Sequence, residues 1–269
     1  MMLDASPLLE VRNLSRRFGG LLALNELSVE IAPGSLHAII GPNGCGKTTF
    51  FNVITGLLPP NGGEIRFLGK DVTGLPPHRV ARLGIARTFQ NLLVFGSMSG
   101  LENVQVGLQC HSRYPFLANL WHDPRRSQTA VAQRAEALEI LRFIDPTLDP
   151  MQPAGSLAYG HQRLLEIARA VATKPHLLML DEPVAGMNPQ ETAALTRTLR
   201  RIRDDLGITV LLIEHDMTMV MNLAERVTVF ENGHRIAEGT PAEVRDNPQV
   251  IEAYLGASHR PTAQREDGN

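Results

Sequence analysis

Residues 41–48 of this chain read Gly41-Pro42-Asn43-Gly44-Cys45-Gly46-Lys47-Thr48. They fit the pattern G-x-x-x-x-G-K-[ST], which marks a phosphate-binding loop when it joins a strand to a helix. An apolar run over residues 36–40 predicts a buried strand before the loop, and residues 48–55 predict a helix that Gly56 closes. The sequence therefore predicts an α/β protein that binds a nucleoside triphosphate.

The composition of this loop matches the chemistry of a phosphate. Glycines let the backbone curl with its N–H groups pointing inward, and the helix N-terminus adds positive potential. The ammonium of Lys47 is predicted to reach the β- and γ-phosphates, and the hydroxyl of Thr48 to bind Mg²⁺. A glycine-rich turn that matches by chance is the alternative. The predicted nucleotide contacts here are Gly41, Pro42, Asn43, Gly44, Cys45, Gly46, Lys47, Thr48 and Thr49.

The overall composition bounds the class of protein. With 269 residues, 43% of them hydrophobic and 20% charged, the chain is globular and has room for one large domain or two modest ones. A formal net charge of -2 does not favour a nucleic-acid partner. Two cysteines are too few for a disulfide framework and favour a reducing cytosol. Residues 1–7 lack the pattern of a signal peptide, and no apolar window approaches about 18 residues, so we expect no membrane-spanning segment.

Two kinds of strand are predicted around the loop. Three segments alternate apolar and polar residues and predict a small antiparallel layer: residues 8–11, 27–31 and 64–68. A turn is predicted at residues 61–63, just before the last of them. Two continuous apolar runs predict parallel strands buried on both faces: residues 176–180 and 208–213. Residues 227–237 predict a hairpin around Asn232-Gly233.

The helices carry clear start signals. Asn188 can cap a helix that runs to about Asp205, with Glu191 as its reciprocal partner. Residues 240–243 repeat this device near the C-terminus, and the alanine-rich residues 130–144 predict a further helix. A cap of this kind satisfies backbone N–H groups that the first turn of a helix leaves without a partner.

The middle of the chain differs in pattern from its flanks. It combines helical periodicity with the only tryptophan, Trp121, and a loop-like interval over residues 111–126. We interpret it as a helical subdomain inserted into a P-loop (RecA-like) α/β core. The predicted division is a single nucleotide-binding domain over residues 8–256, with an ATP-binding core (8–90 and 157–256), a helical subdomain (91–156) and a frayed C-terminal tail (257–269).

A second chemical motif lies at the end of a predicted strand. Residues 177–180 are apolar and lead into Asp181 and Glu182. In an open α/β sheet, ligands bind at the carboxyl ends of the strands. We therefore predict that Asp181 holds Mg²⁺, usually through water, and that Glu182 is the catalytic carboxylate that polarises the attacking water. Solvated acids at a strand end are the alternative, and the phosphate loop favours the functional interpretation.

A third motif precedes a predicted helix and reads Leu157-Ala158-Tyr159-Gly160-His161. Asp181 follows its glycine by 21 residues, with one helix and one strand between them. In this arrangement the chain resembles the ATP-binding cassette family, whose signature motif reads L-S-G-G-Q at this place. The resemblance implies that these five residues contact the γ-phosphate of an ATP held by the phosphate loop of a second subunit. Ala158 lacks the usual serine hydroxyl and His161 replaces glutamine, whereas Gly160 is kept.

The same resemblance assigns further positions. Gln90 corresponds to the Q-loop glutamine that contacts Mg²⁺ and the attacking water, and His215 to the switch histidine that contacts the γ-phosphate. Asn188 stands where the family usually has a D-loop aspartate, and Phe18 where an aromatic ring stacks on adenine. From the residues alone, the alternatives are a surface glutamine, a structural histidine, and a phenylalanine packed under the antiparallel layer. Cys45 stands where Ala or Ser is usual, which predicts sensitivity to thiol reagents.

The resemblance covers residues 8–256, and the branch it resembles most is the ATPase subunit of bacterial branched-chain amino acid importers. The motifs that carry this likeness are Phe18-Gly19-Gly20-Leu21, Arg87-Thr88-Phe89-Gln90 and Leu157-Ala158-Tyr159-Gly160. It implies ATP hydrolysis with Mg²⁺, transmembrane permease subunits, a substrate-binding protein reached through them, and a second ATPase subunit that is a copy or a paralogue. It also implies a peripheral position at the cytoplasmic face of the cell membrane. Importers of urea or other amides, a soluble cassette ATPase and a phosphotransferase stay as alternatives.

Overall fold

Two β-sheets organise the fold, seen here in a computed structural model that describes residues 6–90, 92–111 and 124–257. The strands are β1 (Leu9–Phe18), β2 (Leu21–Ile31), β3 (Leu36–Ile40), β4 (Gly62–Phe67), β5 (Lys70–Asp71), β6 (Ile85–Arg87), β7 (Leu177–Asp181), β8 (Thr209–Ile213), β9 (Arg226–Glu231) and β10 (His234–Gly239). The helices are α1 (Lys47–Ile54), α2 (Pro77–Arg82), α3 (Gly100–Leu108), α4 (Pro124–Ile144), α5 (Tyr159–Ala172), α6 (Pro189–Leu206), α7 (Met217–Leu223), α8 (Pro241–Arg245) and α9 (Pro248–Ala257).

The larger sheet positions the phosphate loop. Within the described residues its order is β10-β9-β3-β8-β7-β6, and every pair of neighbours is parallel except β10 and β9. β3, β7 and β8 are buried along their whole length, as predicted for strands covered on both faces. The predicted hairpin is confirmed by β9 and β10, whose turn residues Asn232 and Gly233 both have positive φ. Because parallel strands share one carboxyl edge, the segments that follow β3, β7 and β8 meet there.

The smaller sheet is antiparallel, in the order β2-β1-β4-β5. The predicted layer is confirmed, but its strands are longer than predicted, since β1 reaches Phe18 and β2 begins at Leu21. Register shifts follow Val11, and Asn13 has a left-handed backbone with φ 48°. Such bulges break the alternation of apolar and polar residues, so the second half of β1 and the first half of β2, which lie opposite each other, have no strand pattern. The predicted turn at residues 61–63 is partly wrong, because β4 already begins at Gly62.

The two predicted helix caps, at residues 188 and 240, are confirmed. The side chain of Asn188 accepts two backbone N–H groups of the first turn of α6, at 2.9 and 3.0 Å, and the carboxylate of Glu191 accepts the N–H of Asn188. Thr240 and Glu243 form the same reciprocal pair at the start of α8. α6 ends at Gly207, whose left-handed conformation is a common way to close a helix.

Helices α3, α4 and α5 pack on one another and form a helical unit beside the larger sheet. α4 begins at Pro124, earlier than the predicted start at residue 130. Trp121, residues 112–123 of the predicted loop and residues 258–269 of the predicted tail lie outside the described residues. The limits of the subdomain therefore stay predictions. None of the described helices combines the length and the apolar character needed to cross a lipid bilayer.

Two apolar cores lie on opposite faces of the larger sheet. Leu178 and Leu180 contribute to the core that includes the helical unit, and Leu177 and Met179 to the core under the antiparallel layer. Successive residues of one strand thus serve different cores, as the two-residue period of a strand requires. The larger sheet therefore has an apolar core packed on each face, and the site lies at the carboxyl edge of this sheet.

The imidazole of His37 makes the stability of the folded chain depend on pH. His37 is buried on β3, and its Nε2 lies 2.7 Å from Oγ1 of Thr228 on β9. Burial lowers the pKa of His37 to about 4; the charge of Glu238 opposes this shift, and the charge of Arg226 adds to it. The unfolded chain binds a proton near pH 6.5, so this part of the stability is complete above that pH and is lost as the pH falls towards about 4.

Native protein should therefore lose about 3 kcal/mol through His37 between pH 6.5 and 4. Urea denaturation at a series of pH values measures this loss. Over the same pH interval, the free energy of unfolding of a His37→Gln protein should fall by about 3 kcal/mol less than that of the native protein. The exposed His78 offers a matched control, because His78→Gln should leave the pH profile unchanged. Parallel profiles for His37→Gln and native protein would show that His37 is not the group responsible.

Candidate active site

The phosphate loop joins β3 to α1, and its shape depends on glycine. Gly41, Gly44 and Gly46 have φ values of 149°, 78° and 107°, which residues with side chains rarely adopt. A Cβ at Gly41 would lie 2.1 Å from the carbonyl oxygen of Phe230, and one at Gly46 would lie 2.5 Å from that of Ala23. The backbone therefore curls as predicted, and the pattern of glycines is explained by close backbone contacts at two of its positions.

Lys47 is buried at the start of α1, with its ammonium turned back onto the loop. Its Nζ donates to the carbonyl oxygens of Gly41 at 2.6 Å and Pro42 at 3.0 Å, and lies 3.7 Å from Sγ of Cys45. The ammonium is thus held inside the loop, where a phosphate oxygen can replace a carbonyl as its partner.

Cys45 does not have the environment of a reactive thiol. Its side chain is 4% exposed, and burial raises the pKa of the thiol, although the charge of Lys47 opposes this shift. A buried, protonated thiol is a poor nucleophile. This geometry does not favour the predicted sensitivity to thiol reagents, which stays a prediction.

Asp181 ends β7 with its carboxylate almost completely buried. The guanidinium of Arg87, on the neighbouring strand β6, donates to Oδ2 of Asp181 at 2.8 Å. It also donates to Oδ1 of Asn52 at 2.7 Å and to Oγ1 of Thr55 at 3.3 Å. Arg87 therefore ties the strand that carries Asp181 to the helix that follows the phosphate loop, and it balances a carboxylate that is shielded from water.

The three predicted catalytic side chains converge beside this carboxylate. Nε2 of Gln90 donates to Oε2 of Glu182 at 3.4 Å, and Nδ1 of His215 lies 3.8 Å from Oε1 of the same group. They come from the segments that follow β6, β7 and β8. The side chain of Glu182 is 21% exposed and that of His215 is 61% exposed, so the carboxylate is open to a water molecule. This arrangement can orient a water molecule and take a proton from it.

Backbone contacts fix the direction of the Glu182 carboxylate. Glu182 has φ 48°, and its N–H donates to the carbonyl oxygen of Ile213 at 2.9 Å. Glu214 is fully buried and accepts the backbone N–H groups of Val184 and His215, both at 3.1 Å. Burial raises the pKa of Glu214, and these backbone donors oppose the shift. One buried carboxylate thus joins the segment after Glu182 to the segment that carries His215.

The signature segment lies at the start of α5. Leu157 is buried, Ala158 caps the helix without a side-chain hydrogen bond, and Tyr159 is exposed. The missing serine hydroxyl at Ala158 therefore leaves the first turn of α5 without a side-chain acceptor. Across the described part of the chain, no hydrogen bond or ion pair joins residues 157–161 to the phosphate loop.

The remaining two signature residues contact the helices around them. The carboxylate of Glu191 lies against Gly160, 2.7 Å from where a Cβ would be. Nδ1 of His161 lies 2.5 Å from Oδ2 of the buried Asp145, which follows α4. A side chain at position 160 would displace the carboxylate of Glu191, and His161 anchors the segment to the helical unit.

Phe18 lies at the end of β1 with its ring 42% exposed, so it does not pack under the antiparallel layer. The guanidinium of Arg16 lies over this ring, 4.8 Å from its centroid, and donates to the carbonyl oxygen of Pro59 at 2.8 Å. A cation on one face of an aromatic ring is a favourable contact. The exposed part of the ring remains accessible to a base, and stacking on adenine stays a prediction.

The predicted magnesium ligands are oxygen donors: the hydroxyl of Thr48, the amide of Gln90 and the carboxylate of Asp181. In the described ranges, no cluster of three or more His, Cys, Asp or Glu side chains could hold a metal ion alone. Mg²⁺ is commonly held by one or two protein oxygens together with substrate phosphates. This donor set fits that mode, and an Asp181 already balanced by Arg87 suits an ion that is bound through water.

Several buried or shielded charged residues had no predicted role, and those beside the motifs include Arg87, Arg163 and Glu214. Each stands in or beside a motif, and a charged residue that is withdrawn from water needs a partner. This requirement is the signal in the sequence that could have drawn attention to these residues. It does not show which residue is the partner, because the partners lie on other strands and helices.

A glycine-rich loop after β3 and a carboxylate after β7 that is open to water are the two parts that a site cleaving a nucleoside triphosphate requires. The fold and the site together define a P-loop ATPase with an attached helical unit. The chain belongs to the ATP-binding cassette transporter family, since the model of that family, described as ABC transporter, matches residues 24–185, more than half of the chain. It is thus an ATP-hydrolysing, nucleotide-binding protein. A further model, described as branched-chain amino acid ATP-binding cassette transporter, matches residues 234–260.

Known proteins of this family resemble the chain over nearly its whole length. The high-affinity branched-chain amino acid transport ATP-binding protein BraF of Pseudomonas aeruginosa is 46% identical over 252 residues, which cover 93% of this chain and 98% of that protein. LivG of Escherichia coli, described in the same words, is 43% identical over 255 residues, which cover 94% and 99%. The ADP conformation of MJ1267, an ATP-binding cassette of an ABC transporter, aligns with a TM-score of 0.80 and 33% identity, covering 94% of this chain and all of that one.

Proposed function

We propose that this chain is the ATPase subunit of an importer for branched-chain amino acids, acting at the cytoplasmic face of the membrane. The observation that carries the catalytic part is the convergence of Gln90 and His215 on the carboxylate of Glu182. The solute follows from the relatives BraF and LivG, which are named for branched-chain amino acid transport, and from the model that matches the C-terminal segment. These names favour branched-chain amino acids over urea or other amides.

Each part of the site has a distinct task in hydrolysis. The phosphate loop cradles the β- and γ-phosphates, with the ammonium of Lys47 neutralising charge on their oxygens. Glu182 accepts a proton from the attacking water, while Gln90 and His215 orient that water and the γ-phosphate. Thr48, Gln90 and Asp181 would hold Mg²⁺. Bound to phosphate oxygens, Mg²⁺ supplies positive charge where negative charge develops.

A second ATPase subunit completes the site. One chain surrounds the phosphates with its loop, while Ala158 and Tyr159 of its own signature segment are exposed and, among the described residues, make no hydrogen bond to that loop. The N-terminus of α5 and the small Gly160 suit contact with a γ-phosphate held by a partner. ATP then favours the closed pair, and hydrolysis removes the contacts that differ between the closed and the open state.

The permease is proposed to dock on an apolar groove beside the Q-loop. The groove has a volume of about 470 Å³ and is lined by residues that include His78, Arg87, Phe89, Leu93, Phe95 and Val106. Phe89, Leu93 and Phe95 are exposed, and an exposed apolar surface of this kind marks an interaction site. Since the groove begins next to Gln90, a permease helix seated there would sense the state of the ATP site. A substrate-binding protein would act through the permease.

The mass of a Glu182→Gln protein in solution, with and without Mg-ATP, tests this proposal. Blocked hydrolysis should trap the closed pair, so we expect a shift from monomer to dimer on addition of ATP. The matched control adds Lys47→Ala, which should remove ATP binding and keep the protein monomeric. A monomer that binds ATP would require a paralogue or the permease for pairing. A Glu182→Gln protein that binds no ATP would contradict the proposal.

Co-purification from a cell extract separates the transport function from the alternatives. An importer subunit should be recovered with membrane-embedded subunits. A soluble cassette ATPase would instead be recovered with nucleic acid or ribosomes, or alone. Recovery of membrane subunits that is lost when the groove is blocked by a charged side chain at Phe95 would locate the contact.

A further inference from the structure

A fully buried arginine, Arg163, joins α5, the helix that begins in the signature segment, to Phe89 and Gln90 of the Q-loop. Arg163 lies in the first turns of α5 and is 0% exposed. Its NH1 donates to the carbonyl oxygen of Phe89 at 2.9 Å, and its NH2 donates to that of Gln90 at 3.2 Å. These carbonyls precede Arg163 by 74 and 73 residues. The link therefore exists only in the folded chain, and it connects the two functional segments directly.

The charge of Arg163 is balanced within the same helix. NH1 also donates to Oε2 of Glu166 at 2.8 Å, and the side chain of Glu166 is 3% exposed. NH2 lies 3.4 Å from the hydroxyl of Tyr159. A buried ion pair often contributes no more to stability than well-packed apolar side chains would. The planar guanidinium, however, can hold two successive carbonyls and a carboxylate at once, which an apolar side chain cannot do.

The Q-loop is held by the ATP site on its other side. The guanidinium of Arg87 lies 5.1 Å from the ring centroid of Phe89, and the amide of Gln90 donates to Glu182. A movement of Arg87 or Glu182 on ATP binding would shift the two carbonyls that Arg163 holds. The N-terminus of α5, with residues 157–161, would move with them.

We propose that Arg163 is a positioning residue that couples the two ATP sites of a dimer, by moving the signature segment of a subunit together with the Q-loop of that subunit. The inference rests on the proposed function, in which Gln90 serves the ATP of its own chain and residues 157–161 serve the ATP of the partner. Arg163 has its contacts with the Q-loop and α5, so its removal affects cooperation between the sites more than the affinity of either site.

Two variants separate this coupling from simple packing. Arg163→Lys keeps a positive charge for Glu166 but lacks the planar fork that holds both carbonyls. Arg163→Met combined with Glu166→Met removes both charges, so that no unpaired charge stays buried. Arg201→Lys is the matched control, since Arg201 donates to the backbone carbonyl of Phe143 at 3.0 Å and joins a different pair of helices.

The measurement is the ATP dependence of hydrolysis by the full chain, together with nucleotide affinity and melting temperature. Native protein should give a Hill coefficient of about 2, and both Arg163 variants should fall to about 1 with kcat lowered about tenfold. Their nucleotide affinity should stay within about twofold of the native value. Arg201→Lys should behave as native protein does.

A folded Arg163 variant that keeps the native Hill coefficient and kcat overturns the inference, and so does a native protein without cooperativity. If the double variant does not fold, Arg163→Lys decides. Native protein that binds no ATP overturns the proposed function instead. The failure of the inference and the failure of the proposed function are thus distinguished by the native protein alone.

Discussion

Glu182→Gln protein is expected to bind ATP as tightly as the native protein and to hydrolyse it about 10³-fold more slowly. The amide preserves the size of the side chain and its contacts with Gln90 and His215, but it cannot accept a proton from water. General-base catalysis contributes about 10²–10⁴-fold to a rate. A loss within this range follows because the groups that orient the water and the phosphate stay in place.

Phosphate release at saturating Mg-ATP measures kcat, and titration with a fluorescent ATP analogue measures affinity. Glu139→Gln is the matched control, because it makes the same chemical change on an exposed part of α4 and should leave kcat unchanged. A Glu182→Gln protein that keeps more than about one tenth of the native kcat would show that another group activates the water. The assignment of Glu182 as the base would then be wrong.

Arg87→Met protein is expected to lose about 3–5 kcal/mol of unfolding free energy. The substitution leaves the carboxylate of Asp181 without its guanidinium partner in a place where its side chain is only 3% exposed. It also removes the donor to Asn52 and Thr55, which ties α1 to the sheet. Breaking one side of a buried pair is costly because the remaining charge is neither hydrated nor balanced.

Urea denaturation of the nucleotide-free protein measures this loss, and two further variants serve as comparisons. Arg235→Met breaks an ion pair with Glu238 at 2.6 Å whose arginine is 43% exposed, and should cost less than about 1 kcal/mol. Arg87→Met combined with Asp181→Leu removes both charges and should recover most of the lost stability. If Arg87→Met costs no more than Arg235→Met, the pair does not stabilise the site.

The phosphate loop could be predicted in detail because its determinants are local. Gly41 and Gly46 have backbone angles and contacts that only glycine tolerates. The continuous apolar runs of β7 and β8 are what burial on both faces requires. The capping pair Asn188 and Glu191 likewise acts within a single turn.

Short elements with weak patterns escaped prediction. α2 has six residues, β6 has three and α7 has seven, and such segments are stable mainly through their neighbours. The second half of β1 and the first half of β2, which lie opposite each other, were missed because bulges shift the register after Val11. The burial of Cys45 could not be predicted either, since the loop that carries it is bonded to the β9–β10 turn through the N–H of Gly233 and the carbonyl oxygen of Cys45.

Local motifs thus specified the chemistry of this protein: an anion cradle, a catalytic carboxylate, and the order of the segments that serve them. The partners of the buried charged side chains could be identified only from the folded chain. Arg87 meets Asp181 across 94 residues, Arg163 meets Gln90 across 73, and Glu214 meets Val184 across 30. Contacts over such separations leave no periodicity in the sequence, because they depend on which strands become neighbours in the sheet and how the helices pack on it.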